Sequence, residues 1–243
     1  MRFSSYATYH VFAHFRHALI VSGGLAVVTV ILFAAAWTSG ANIPAILADL
    51  SVSFWRVSVA YVLSLVFALI VGIAVTRTPR IEAAALPILD VLQSFPNFAL
   101  LPIAIAWFGA GSGAIIFILV ITMVWPILFA VVAGTKTVRA ELGEAAHIFG
   151  ARGMKYLRAF LLPSLFPAVV SGSIVGWGEG WEAVVGTEII AKSSGIGSEI
   201  VSATEAGDTR AVVILLTILM YVIFLINTWV WLQLLRRSVR FSE

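Results

Sequence analysis

Long apolar blocks dominate this chain, and short polar intervals separate them. Four blocks, 18–37, 57–76, 114–135 and 211–235, have the length and the poverty of charge of bilayer spans. About 20 helical residues at 1.5 Å each cross a hydrocarbon core of roughly 30 Å. Two further blocks, 91–108 and 160–178, carry proline, glycine or polar interruptions. A helix inside a bundle tolerates these when its neighbours satisfy the freed backbone groups. The pattern predicts an all-α, multi-pass membrane protein with six transmembrane helices. Block 18–37 has Ala34, Ala35 and Ala36 as a conceivable leader cleavage site. It is longer than the usual apolar core of about 7–15 residues in a signal peptide, so it is read as the first span. Residues 3–15, with Arg2, His10 and His14, mix aromatic and basic groups and suit either the membrane surface or a frayed leader.

Composition agrees with the block pattern. Hydrophobic residues make up 61% and charged residues 11% of the chain, against about 45–50% and 25% in soluble domains. With no cysteine, and with His10, His14, His17 and His147 lacking ligand spacing, nothing points to a metal site or a disulfide. The basic residues have a topological meaning. With the N-terminus inside and six alternating spans, twelve of the fifteen Lys and Arg fall on inside segments, and only Arg56, Lys192 and Arg210 fall outside. Positive residues accumulate on the cytoplasmic side, so both termini are expected inside and the +3 net charge does not indicate a nucleic-acid partner. The outside loop between the fifth and sixth spans is acidic, with Glu188, Glu199, Glu205 and Asp208.

The inside interval 136–159 has a pattern of its own. Val138, Leu142, Ala145 and Phe149 recur at helical spacing, with Arg139, Glu141, Glu144 and His147 on the other faces. This predicts a short amphipathic helix stopped by Gly150. The small residues Gly143, Ala145 and Ala146 would let a groove on another protein close over it. The alternative is an interfacial helix lying on the bilayer.

Inside the spans, Ser164, Ala168, Gly172, Gly176 and Gly180 form a stripe of small residues suited to close helix packing. Glu179 falls beside that stripe, with Trp177 and Trp181 opposite. Glu179 is then either a pathway-lining group, a partner of Arg56, Lys192 or Arg210, or simply in outside water, with Glu182 near the outer boundary. If it is unpaired, its carboxylate repels anions, so an anionic solute would require it to be neutralised. Asp90, Gln93, Ser94 and Asn97 share one helix face by their spacing, a polar stripe amid apolar surroundings, and Pro96 and Pro102 bracket its outer part, in analogy with the discontinuous helices near solute paths in secondary transporters. They line either a gate or a helix end in water. Trp125-Pro126 predicts a kink in the fourth span, with simple packing as the other meaning.

Glu144-Ala145-Ala146, then Gly150, then Leu162-Pro163 resemble in spacing the EAA loop of binding-protein-dependent ABC importer permeases of the type I fold. Phe160 stands where that family prefers an aliphatic residue. Segments 93–107 and 181–197 resemble its nitrate, sulfonate and taurine branch, and the likeness runs from about residue 47 to 235. The resemblance implies a bacterial inner-membrane subunit whose EAA loop is a coupling helix gripped by an ATPase. It implies two ATP-binding cytoplasmic subunits carrying ATP and Mg, a second permease subunit (a copy or a paralogue) and an external substrate-binding protein. No G-x-x-x-x-G-K-[ST] phosphate loop occurs in the chain, so no cofactor is expected on it. The expected organisation is an inside or interfacial segment 1–17, a first helix with its outside loop 18–46, a five-helix core 47–235 containing the coupling loop 136–159, and an inside tail 236–243. The binding protein would deliver solute to loops around 42–53 and 182–210. Two other classes remain open: a stand-alone secondary transporter using Glu179 or Asp90 as ion carrier, and a membrane scaffold.

Overall fold

The computed structural model describes residues 42–148 and 152–239, together with helical positions 23, 24, 26, 27, 30 and 34. The predicted first span therefore lies largely outside the described residues, as do segment 1–17 and Gly150. The described residues are helical, with no strand among them.

Helix α1, Ile43–Val75, starts where the Asn42 side chain accepts a hydrogen bond from the Ala45 amide at 3.3 Å. It begins 14 residues before the predicted span at 57, so the expected loop 42–53 is helix instead. Helix α2, Pro79–Gln93, is capped by Thr78. It ends at Ser94 because Pro96 has no amide proton and bars the α conformation from the residue before it. A 3-10 turn, Asn97–Leu100, follows, then α3, Leu101–Phe108. The axis bends by 81° between these halves. The proline-interrupted block 91–108 is thus a discontinuous helix, but the single polar face assigned to Asp90, Gln93, Ser94 and Asn97 does not survive the break.

Helix α4, Ser112–Ile148, runs for 37 residues through Pro126 without a break. The separate short helix expected over 138–149 is instead the end of this long one. Nothing between the blocks stops it. Thr135 and Thr137 turn their hydroxyls back onto Val131 and Ala133 carbonyls within the helix, at 2.7 and 3.2 Å. After α5, Gly153–Tyr156, a π-helical turn at Leu157–Leu161 leads into α6, Leu162–Ala191. The predicted span at 160–178 therefore continues thirteen residues further. Helix α7, Ile196–Glu205, occupies the expected acidic outside loop. Helix α8, Thr209–Ile226, a π-helical turn at Asn227–Trp231 and α9, Leu232–Val239, complete the described chain. Four helical stretches are long and apolar enough to cross a membrane, or five when α2 with α3 is taken as one broken span.

Helix α4 is central. Half of its most apolar stretch is buried, against 17% for the last span, and it packs between α1 and α6. The α4–α6 approach depends on small residues. A Cβ on Gly172 would lie 2.6 Å from Ala130 Cβ and 2.8 Å from the Pro126 carbonyl oxygen. One on Gly176 would lie 3.0 Å from the Met123 carbonyl, and one on Gly134 would lie 2.6 Å from Ala168 Cβ. On the other side of α6, Trp177 and Trp181 pack with Phe54, Tyr61 and Trp231. Tyr61 stands edge-on to Trp177 and to Trp231 at 5.6 Å each. The outward faces of α1 and α8, with Val62, Val66, Phe67, Ile70, Val213 and Met220, are exposed and apolar, as lipid-facing surfaces are.

Candidate functional site

The break between α2 and α3 opens a cleft. Its volume is about 460 Å3, and its walls are Gln93, Asn97 and Phe98 from the broken span, Thr122, Trp125 and Pro126 from α4, and Glu179, Glu182 and Ala183 from α6. Helical spacing alone brings Glu179 and Glu182 to one side of α6. What brings Gln93 and Asn97 across from them is the 81° turn. Asn97 donates its amide to Thr122 Oγ1 at 3.2 Å, and Thr122 donates its hydroxyl proton to the Ile118 carbonyl at 2.9 Å. A hydroxyl has one proton, so Thr122 can only accept from Asn97, and the Asn97 carbonyl oxygen turns elsewhere. That oxygen is buried with no hydrogen-bond partner among the described residues, as is the indole nitrogen of Trp125.

The other predicted pathway residues separate. Gln93 donates to Asp90 Oδ1 at 2.7 Å, and Ser94 donates to the Asp90 carbonyl at 2.9 Å. Asp90 itself lines a second cavity, of about 520 Å3, with Leu86, Pro87, Phe129, Val132, Ala133 and Lys136. Ser94 lines neither cavity. Glu182 lies nine residues before the end of α6, about 13 Å at 1.5 Å per residue. None of Arg56, Lys192 and Arg210 forms an ion pair with Glu179.

Arg56 is committed elsewhere, in a cluster that the sequence did not reveal. Its Nη1 donates to Glu188 Oε1 at 2.7 Å, with the two side chains 2% and 0% exposed. The same guanidinium donates to Ser112 Oγ at 3.0 Å, to Ser193 Oγ at 3.2 Å and to the Ser194 carbonyl. Glu188 also accepts from Ser53 Oγ at 2.8 Å and from the Gly197 amide at 3.0 Å. Gly195, at φ +131°, closes over the carboxylate where any Cβ would overlap it. Both charges were expected in outside loops. They instead fasten α1 to the turn between α6 and α7, and an outward count of two basic residues remains. A signal was available: Val184, Val185, Ile189 and Ile190 continue the apolar run on either side of Glu188.

Glu144, Ala145 and Ala146 belong to the last turns of α4, while Gly150 lies outside the described residues. Leu162 and Pro163 open α6 and are exposed. Across the α2–α4 gap, Lys136 Nζ meets Glu82 Oε1 at 2.6 Å, with Lys136 55% exposed. Among the described residues no group of three or more His, Cys, Asp or Glu is arranged to hold a metal.

The sequence signature of the family described as binding-protein-dependent transport system inner membrane component matches residues 64–241. The chain is 29% identical over 178 residues to the taurine transport system permease protein TauC of Escherichia coli (strain K12), covering 73% of this chain and 65% of that protein. It is 28% identical over 182 residues to the nitrate import permease protein NrtB of Leptolyngbya laminosa, covering 75% and 65%. It is 26% identical over 163 residues to the putative aliphatic sulfonates transport permease protein SsuC of Bacillus subtilis (strain 168), covering 67% and 59%. The chain thus spans less than two thirds of the length of each of these relatives.

Proposed function

Because the chain belongs to the family of binding-protein-dependent transport system inner membrane components, we propose that it is the permease subunit of an ATP-driven importer. It moves a small polar solute, in the range of sulfonates, taurine, nitrate and similar compounds, across the cytoplasmic membrane. The chain hydrolyses nothing itself. ATP and Mg are held on two separate cytoplasmic subunits, a second permease subunit completes the pathway, and an external binding protein delivers the solute. Six spans with both termini inside fit this assembly, with the core at 47–235 between the first helix with its outside loop, 18–46, and the inside tail 236–243.

One observation carries the reading: α4 joins the cleft to the EAA segment without a break. From Pro126 to Glu144 is 18 residues, about 27 Å of rigid helix. A pull on Glu144–Gly150, with Leu162 and Pro163 at the neighbouring helix start, is therefore transmitted to the wall that holds Thr122 and Trp125. The two states so biased are the outward- and inward-open cleft. The exposed apolar face of α2 and α3, with Ile88, Val91, Leu92 and Trp107, supports a second permease subunit at that side. A secondary transporter using Glu179 or Asp90 as ion carrier would need no such lever, and a scaffold would need no cleft.

The test is Glu144→Arg in the assembled importer. ATP-driven uptake is expected to fall at least tenfold, with loss of the co-purifying ATPase subunit. Unchanged uptake, or uptake that persists without any ATPase, overturns the reading.

A further inference from the structure

The walls of the cleft carry two carboxylates and no basic residue. Among the described residues neither carboxylate forms an ion pair: the guanidinium of Arg56 is spent on Glu188, and Lys136 on Glu82. The amide donors of the wall are directed inward to the protein, Gln93 to Asp90 and Asn97 to Thr122. Each amide keeps a second N–H, so the donors left on the wall are neutral ones set against two carboxylates. Two aromatic residues, Trp125 and Phe98, also line the space. A bare anion entering it meets two like charges and only neutral amide N–H groups. A cationic nitrogen meets carboxylates and aromatic rings, whose faces attract positive charge.

We infer that the cleft admits solutes bearing a cationic nitrogen, as organic cations or as zwitterions, and excludes bare small anions, which narrows the proposed solute range to its zwitterionic members, such as taurine, and drops nitrate. This rests on the cleft being the solute pathway. In a zwitterion the ammonium end lies toward Glu179 and Glu182, and the anionic end toward the exposed amide of Gln93 on the facing wall. An acidic wall flanked by low-dielectric helices concentrates cations locally by a factor of about 10 or more.

The chain contains no cysteine, so an introduced thiol is the one on this subunit, and its rates are taken as the difference from the same importer without it. Gln93→Cys places it on an exposed wall position. In the assembled importer, its reaction rates with a trimethylammonium-bearing methanethiosulfonate and with a sulfonate-bearing one are compared, normalised to their rates with a free thiol. The cationic reagent is expected to be favoured more than about tenfold. Adding Glu179→Gln and Glu182→Gln is expected to bring the ratio close to one, and Glu179→Gln alone takes it part of the way should the double change fail to assemble. A ratio near one, a preference for the anionic reagent, or a preference that survives loss of both carboxylates overturns the inference. Uptake measured on the modified importer separates the two levels. Blocked uptake without cation preference leaves the pathway standing and sinks this inference. Cation preference with uptake unaffected sinks the pathway itself, and the inference with it.

Discussion

Replacing Glu188 by glutamine is the sharpest test of how this bundle is held. The carboxylate serves two sides at once: Oε1 faces the Arg56 guanidinium and Ser53, and Oε2 faces the Gly197 amide. A glutamine keeps one acceptor oxygen and must aim its NH2 either at a guanidinium or at a backbone N–H, donor against donor. Arg56 stays charged and 2% exposed. Two unit charges about 4 Å apart at an effective dielectric of about 20 attract by about 4 kcal/mol, and removing one member of a buried pair costs about 3–5 kcal/mol. For a chain of this length each kcal/mol shifts the unfolding midpoint by about 2–4 °C, so the expected drop is roughly 6–20 °C. The buried Trp177, Trp181 and Trp231 make intrinsic fluorescence in detergent a direct readout of the same packing. Arg56→Met together with Glu188→Leu removes both charges, and this double variant is expected to unfold at a higher temperature than either single one. A fall of less than about 2 °C for Glu188→Gln, or a double variant as weak as the two singles added, refutes the account.

Gly172→Ala is expected to cost about 1–3 kcal/mol, because the added methyl meets the Pro126 carbonyl and the Ile127 Cα. Gly180→Ala meets the flexible end of Met123 and is expected to cost less than half as much, by the same thermal assay. Lys136→Gln removes a pair in which Lys136 is 55% and Glu82 19% exposed, and is expected to change stability by less than about 1 kcal/mol, with the difference shrinking at high salt. Burial, and then the charge and hydrogen bond of neighbouring Asp49, push the Glu199 carboxyl above its ordinary value. A raised carboxyl in the folded state contributes stability that is present below the ordinary carboxylate range and is lost as pH rises through the folded value. Relative to Glu199→Gln, the native protein is therefore expected to lose stability as pH goes from about 4 to 7. Thermal midpoints across that range check the sign.

Much of the helix layout was legible in the apolar blocks, because burial in lipid demands long uninterrupted stretches. The places where expectation failed share a cause. A helical wheel treats each helix alone, and it put Asp90, Gln93, Ser94 and Asn97 on one face by assuming that the helix continued past Pro96. Proline ended it: Asp90 and Gln93 stay together on α2, hydrogen-bonded at 2.7 Å, and Asn97 lies past the turn, so that the cleft takes Gln93 and Asn97 while Asp90 lines the other cavity. Glu179 and Glu182 were readable because they lie on one unbroken helix, α6. Thr122 and Trp125 were not, since only packing brings α4 opposite them.

The buried clasp failed for the complementary reason. A charge in an apolar run was counted as the end of a span, so α1 was begun too late and α6 ended too early. The first error vanishes once Arg56 is paired, but its partner is 132 residues away and no local pattern couples them. The second arose earlier, at Glu179, and α6 runs on through that carboxylate as well as through Glu188. Once paired, each residue lets its helix continue: α1 keeps the turns around Arg56, and α6 keeps the turns through Glu188. The clasp and the cleft are separate, because Glu188 stands nine residues from Glu179 along α6, about 180° round the helix, and Arg56 is held by Ser112, Ser193 and Ser194 as well. Glu188→Gln is therefore expected to lower the unfolding temperature while leaving the ratio of cationic to anionic reactivity at the cleft unchanged, and a shifted ratio would show that the two sites are coupled.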